Sequence, residues 1–191
     1  MSLEVPRFRR RFCLGVFLAA TSLLAHPALS QPREILIIRH AEKPLDPNDF
    51  HLTPRGYSRA AALAPFFAAN FDTPDFLFAT ARSSASNRPV ETLTPLASAL
   101  HMTLDSGYAD ADYDAMARLI LSDPKYSGAM VIICWHHGNI PALAKSLGVS
   151  SPPGPWPDAV FDRVWRLRYS DDASVSFENL PQSILFGDSQ E

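Results

Sequence analysis

Short apolar runs alternate with longer stretches of helical period along most of this chain. Residues 34–39 are continuously apolar in their middle, as a central strand covered on both faces is. Residues 75–79 form a second such run, and 129–134 a third whose length and β-branched content argue against a helix. Residues 164–169 alternate polar with apolar and predict a strand nearer the sheet edge. Between the runs, Thr53-Pro54 reads as an N-cap with proline at the first helical position, opening a helix to about Asn70 that Pro65 kinks or shortens. Further helices are predicted over 86–100, 114–121 and 140–147, the last closed by Gly148. The proline-rich stretch 151–157 reads as a stiff loop, with Trp156 packing on the last strand rather than lining a pocket mouth. Strands alternating with helices in this way predict an α/β three-layer αβα sandwich with a mainly parallel central sheet.

The first thirty residues stand outside that pattern. Arg7, Arg9, Arg10 and Arg11 form a basic cluster, 12–25 is an apolar run short for a bilayer span, and Ala28, Leu29 and Ser30 offer small residues at cleavage positions. The expectation is an export signal over 1–30, weakly twin-arginine in character, followed by one domain over 31–191 in the periplasm or outside the cell.

Composition narrows the partners. The chain has 191 residues, 47% hydrophobic and 19% charged, which suits one globular core and disfavours disorder. Without its first thirty residues, 13 basic side chains face 19 acidic ones, so nucleic acid and anionic membranes are poor partners and no stable membrane insertion is expected after cleavage. Cys13 leaves with the signal; Cys134, alone in an apolar run, reads as a buried thiol. No Cys and His cluster has zinc spacing.

The histidines carry the chemistry. Three of the five after residue 30 fall at or just beyond the carboxyl ends of the two most apolar strands: His40 after the first, His136 and His137 after the third. In open α/β sheets that edge is where ligands bind. A single strand-end histidine is ordinary; two such sites, one beside Arg39, are not.

Four segments in order extend this. They are Arg39-His40-Ala41-Glu42, Leu52-Thr53-Pro54-Arg55-Gly56-Tyr57-Ser58-Arg59-Ala60, Arg88-Pro89-Val90-Glu91-Thr92 and Cys134-Trp135-His136-His137-Gly138-Asn139-Ile140-Pro141. From about residue 34 to 148 the chain thereby resembles the histidine phosphatase superfamily, the phosphoglycerate mutase-like group. The resemblance implies a phosphoglycerate mutase-like fold and a phosphatase needing neither metal nor cofactor, which acts on a small phosphorylated substrate through a phosphohistidine on His40. Neutral imidazole is a competent nucleophile, and guanidinium forks suit the equatorial oxygens of the phosphoryl group. Arg39 and Arg88 are the expected forks, and a second histidine adds a donor. Counting back from Pro141, Ala142 and Leu143 puts that histidine at His136; the His-Gly dipeptide puts it at His137, the expectation carried forward.

Two departures stand out. Ala41 replaces the hallmark glycine, which is tolerable at negative φ. Pro89 disfavours helical dihedrals at Arg88, so the helix is expected to start later than in relatives of this kind and the guanidinium to approach from a different angle, leaving Arg82 as a reserve phosphate ligand or simply a solvated charge. For the general acid, Asp110 and Asp112 are candidates, while Asp112 or Asp114 equally reads as a helix cap. Glu42 and Lys43 lie near enough to His40 to orient substrate. A mutase is the weaker reading, since no insertion is long enough for a lid. The competing readings are a phosphate-ester-binding protein with little turnover and a phosphohistidine protein phosphatase.

Overall fold

A computed structural model describes residue 1, residues 31–172 and residues 174–189. Residues 2–30 of the expected export signal lie outside the described residues. Among those described, no helix is long and apolar enough to cross a membrane.

The two most apolar runs form the centre of a six-stranded sheet. Strand β1 (Glu34–Arg39) and strand β4 (Met130–Trp135) are buried along their whole lengths and pair in parallel. β4 also pairs in parallel with β2 (Phe76–Thr80), which pairs in parallel with β3 (Leu104–Tyr108). On the other side β5 (Arg163–Tyr169) runs antiparallel to β1, and β6 (Val175–Pro181) antiparallel to β5, giving the order β3-β2-β4-β1-β5-β6. The sheet is thus parallel over four strands and antiparallel over the last two.

Period two then divides the core. Leu36, Ile38, Ile132 and Cys134 face α1 (Pro54–Asn70) and α2 (Arg88–Leu100), packing on Leu63, Phe67, Leu93 and Leu96. Ile35, Ile37, Val131, Ile133 and Trp135 face α3 (Tyr113–Ser122) and α4 (Ile140–Ser146), packing on Met116, Ile120, Ile140 and Leu143. Three layers result, as the pattern of runs predicts.

Local chemistry sets the helix ends. The side chain of Thr53 accepts from the Gly56 N–H at 3.0 Å, and α1 continues through Pro65 to Asn70 rather than stopping early. α2 begins at Arg88, two residues after the predicted start: Pro89 sits in the first turn, where the missing N–H would have had no intrahelical partner. Gly148, at φ +100°, reverses the chain after α4 so that the Val149 N–H reaches the Ala144 carbonyl at 3.0 Å. Strands β3 and β6 lack an apolar run, and the sequence pattern did not predict them. Trp156 is buried against Trp165 of β5, ring centres 5.0 Å apart, so the proline-rich loop packs on the strand next to the last.

Candidate active site

Because β1, β4 and β2 are parallel, their carboxyl ends share one sheet edge, and the segments leaving them build a cavity of about 370 Å³. Its walls include His40 from β1, His136 and His137 from β4, Ser83 and Ser86 from the segment after β2, and Arg88 at the start of α2. A larger cavity of about 570 Å³, beside Trp156 and Trp165, contains none of these imidazoles.

Register decides which histidine meets His40. Arg39 pairs with Trp135, and the His40 N–H continues the ladder to the Trp135 carbonyl at 3.2 Å, so His40 and His136 come side by side. Their rings meet edge to face at 5.2 Å. His137, one residue further, turns away and puts Nε2 3.2 Å from an Asp158 oxygen. The geometry therefore gives the place beside His40 to His136, not to His137 as expected.

The backbone around His40 is held from several sides. Nδ1 of His40 lies 2.7 Å from the Ala41 carbonyl oxygen; a carbonyl only accepts, so Nδ1 carries the proton and Nε2 the lone pair. Burial pushes the imidazole well below its ordinary pKa despite that carbonyl, keeping it neutral. The Ala41 N–H donates to Thr92 Oγ1 at 2.9 Å, and that hydroxyl donates to the Arg88 carbonyl at 2.8 Å. Thr53 donates through its N–H to the Glu42 carbonyl at 2.9 Å. Gly56 lies so close that a Cβ there would stand 2.6 Å from the same carbonyl oxygen. Ala41 is not among the residues with positive φ, so the departure from glycine costs no backbone strain.

Three residues of the cavity wall each hold a buried polar atom with no protein partner: Nε of Arg88, Oδ1 of Asp110 and Nδ1 of His137. Arg88 is anchored by one donation from Nη1 to the Asp49 carbonyl at 3.0 Å, and burial lowers its pKa. Asp110 is located by its backbone carbonyl, which accepts from Trp135 Nε1 and Asn139 Nδ2, each at 3.2 Å. Burial likewise lowers the pKa of His136, with the nearby Asp110 carboxyl acting in the opposite direction. The other acidic candidates are accounted for locally. Asp112 accepts from the Ala109 N–H at 3.2 Å ahead of α3, and Asp114 pairs with Arg118 one turn along that helix. Arg82 is exposed and is not part of the cavity wall.

Two expected substrate contacts are committed elsewhere. The Arg39 guanidinium, wholly buried, donates from Nη1 to the carbonyls of Pro157, Asp158 and Val160 at 2.7–3.2 Å and from Nη2 to Asp158 Oδ1 at 3.2 Å. It stacks 3.9 Å above the Phe161 ring, and burial brings its pKa down to about 10. The cause is the same alternation that divides the core. Arg39 follows Ile35 and Ile37 onto one face, His40 follows Leu36 and Ile38 onto the other. Glu42 accepts from Arg59 at 2.8 Å and Arg55 at 3.0 Å and so ties the segment after β1 to α1, while Arg59 also reaches Asp188 of the carboxyl-terminal segment at 2.7 Å.

Sequence reasoning missed Ser83, Ser86 and Asp158. The serines had a usable signal, a small polar run leaving a third strand at the ligand edge; Asp158 follows a proline-rich stretch and had none.

No family model and no curated protein matches the chain. Solved structures do. The protein histidine phosphatase SixA complexed with tungstate is similar at a TM-score of 0.59 and 14% identity, over 78% of this chain and 97% of that one. A phosphoglycerate mutase from Bacillus anthracis str. Sterne matches at 0.53 and 14%, over 79% and 94%. The native mycobacterial glucosyl-3-phosphoglycerate phosphatase matches at 0.52 and 16%, over 78% and 97%. At such identities the likeness is one of fold: the chain has the phosphoglycerate mutase-like α/β fold that its motifs imply.

Proposed function

We propose that this chain is a phosphomonoesterase of the histidine phosphatase type, exported from the cytoplasm and acting on a small phosphorylated substrate. The observation that carries the reading is the state of His40. Its Nδ1 proton is bound by its own loop, its ring is kept neutral by burial, and it lines a cavity whose wall also includes Arg88, His136 and Asp110.

In the first step Nε2 of His40 forms a bond to phosphorus while the ester P–O bond breaks, and the leaving oxygen takes a proton from the Asp110 carboxyl. In the second, a water oxygen bonds to phosphorus, the P–N bond breaks, a water proton returns to Asp110 and inorganic phosphate leaves. Arg88 and His136 hold the equatorial oxygens, His136 acting as a donor once it faces the phosphate dianion. Imidazole supplies the nucleophile and guanidinium the charge, so the scheme uses neither metal nor cofactor.

The test is release of phosphate from p-nitrophenyl phosphate, with an acid-labile phosphoryl label on the protein. His40→Ala is expected to abolish both, and a chelator neither. A folded protein that releases no phosphate from any ester defeats the reading. The commitment of Arg39 to the loop favours one second reading, a phosphate-ester-binding protein with little turnover, which the same assay separates by binding without label. A phosphohistidine protein phosphatase would instead need no Asp110, because imidazole leaves unaided.

A further inference from the structure

Asp158 is the most exposed member of the cluster, its side chain 69% accessible, yet one of its oxygens accepts hydrogen bonds from Arg39 and Lys43 and lies beside the His137 ring. Oδ1 lies 3.2 Å from Arg39 Nη2, 3.1 Å from Lys43 Nζ and 3.2 Å from His137 Nε2. The hydrogen bond from Lys43 is the largest cause holding this carboxyl below the usual carboxylate range. Two charged donors converging on one oxygen, with an imidazole beside them, is how a protein holds an oxygen of a bound anion. Nothing packs the carboxylate into that position.

The loop does not depend on the contact. Three backbone carbonyls, of Pro157, Asp158 and Val160, tie it to Arg39. The carboxylate can therefore swing to solvent while the loop stays. Exposed ion pairs are weak, so exchange for another anion is cheap. Lys43 and His137 also line the cavity that contains His40 and Arg88, so an anion replacing Asp158 can belong to the same small molecule as a phosphoryl group at His40.

We propose that Lys43, His137 and Arg39 form a second anion subsite, held in the free protein by Asp158, that takes a further phosphate or carboxylate of the substrate. The word substrate rests on the phosphatase reading; the subsite does not. Asp158 is then a specificity-determining residue: substrates with one anionic group leave it in place, and those with two displace it.

The experiment measures equilibrium binding of three probes that the protein cannot hydrolyse: propylphosphonate, propane-1,3-bisphosphonate and 4-phosphonobutanoate. The wild-type protein is expected to prefer at least one dianchored probe over propylphosphonate. Asp158→Asn is expected to widen that preference about tenfold, with little change for propylphosphonate, and Lys43→Met to collapse it. The better of the two dianchored probes identifies which anion the subsite takes. Equal affinities for all three probes in wild type, or no effect of Lys43→Met, overturns the proposal without relying on the Asp158 variant. So does an Asp158→Asn protein that binds every probe alike or more weakly. Preserved discrimination without phosphate release defeats only the hydrolase; release from p-nitrophenyl phosphate without discrimination defeats only the subsite.

Discussion

A single proton sets the chemistry open to His40. With Nδ1–H given to the Ala41 carbonyl, the lone pair is fixed on Nε2. The neighbouring residues divide accordingly. His136 meets the nucleophile's ring while His137 meets Asp158, so on an aryl phosphate with one anionic group the two alanine variants should behave differently. We expect His136→Ala to lower kcat/KM by roughly 10²–10³, the cost of one transition-state donor, and His137→Ala by much less. Equal losses would remove the assignment. The two arginines make a second contrast. Arg88 keeps a single bond to the Asp49 carbonyl, so Arg88→Met should lose turnover with little change in melting temperature. Arg39→Met should do the reverse: it takes the donor from the Asp158 carbonyl and one of two donors from those of Pro157 and Val160, and lowers stability by about 1–3 kcal/mol, read from denaturant midpoints.

At the level of elements, the site depends on how α1 and α2 press on the segment after β1. Gly56 is where α1 comes closest, and a methyl group there would meet the Glu42 carbonyl oxygen at 2.6 Å. Alanine gains helix propensity, about 1 kcal/mol, but the clash is with backbone and forces α1 away. Gly56→Ala is therefore expected to lower both the unfolding midpoint and kcat, because the displaced carbonyl lies two residues from His40. An unchanged kcat would show that the helix does not position the nucleophile. Much of this scale was legible in the sequence. Thr53-Pro54 and Gly148 mark helix ends through chemistry confined to a few neighbouring residues, and β1 and β4 announce themselves as apolar runs buried on both faces. Strand β3, which contains Ser106 and Gly107, and strand β6, with one polar face, form by pairing to neighbours and leave no such trace. Choosing His136 over His137 needed the register of β1 on β4, a long-range quantity. The opposite facing of Arg39 and His40 needed only the strand period, and could have been read from the sequence at the outset.

For the molecule as a whole, the sandwich places three imidazoles where burial favours their neutral form, and this makes stability depend on pH. In the unfolded chain a histidine takes up its proton near pH 6.5. Burial depresses the folded pKa of His40 strongly and also those of His136 and His137, so below pH 6.5 the unfolded chain binds more protons than the folded one. Stability must then rise with pH across the interval between the folded pKa values and 6.5, and fall as the solution is acidified through it. Each histidine contributes a slope of at most about 1.4 kcal/mol per pH unit within its own interval. Urea midpoints taken from pH 7.5 down to 5 should therefore decline, most steeply just below 6.5 and before most carboxylates titrate. His40→Asn should remove part of the decline while leaving the plateau above pH 7 as its baseline. A midpoint that holds level or rises on acidification would mean that His40 takes up a proton in the folded protein as readily as in the unfolded chain. In that case Nε2 would carry no lone pair at mildly acid pH, and the imidazole could not be the phosphoryl acceptor there.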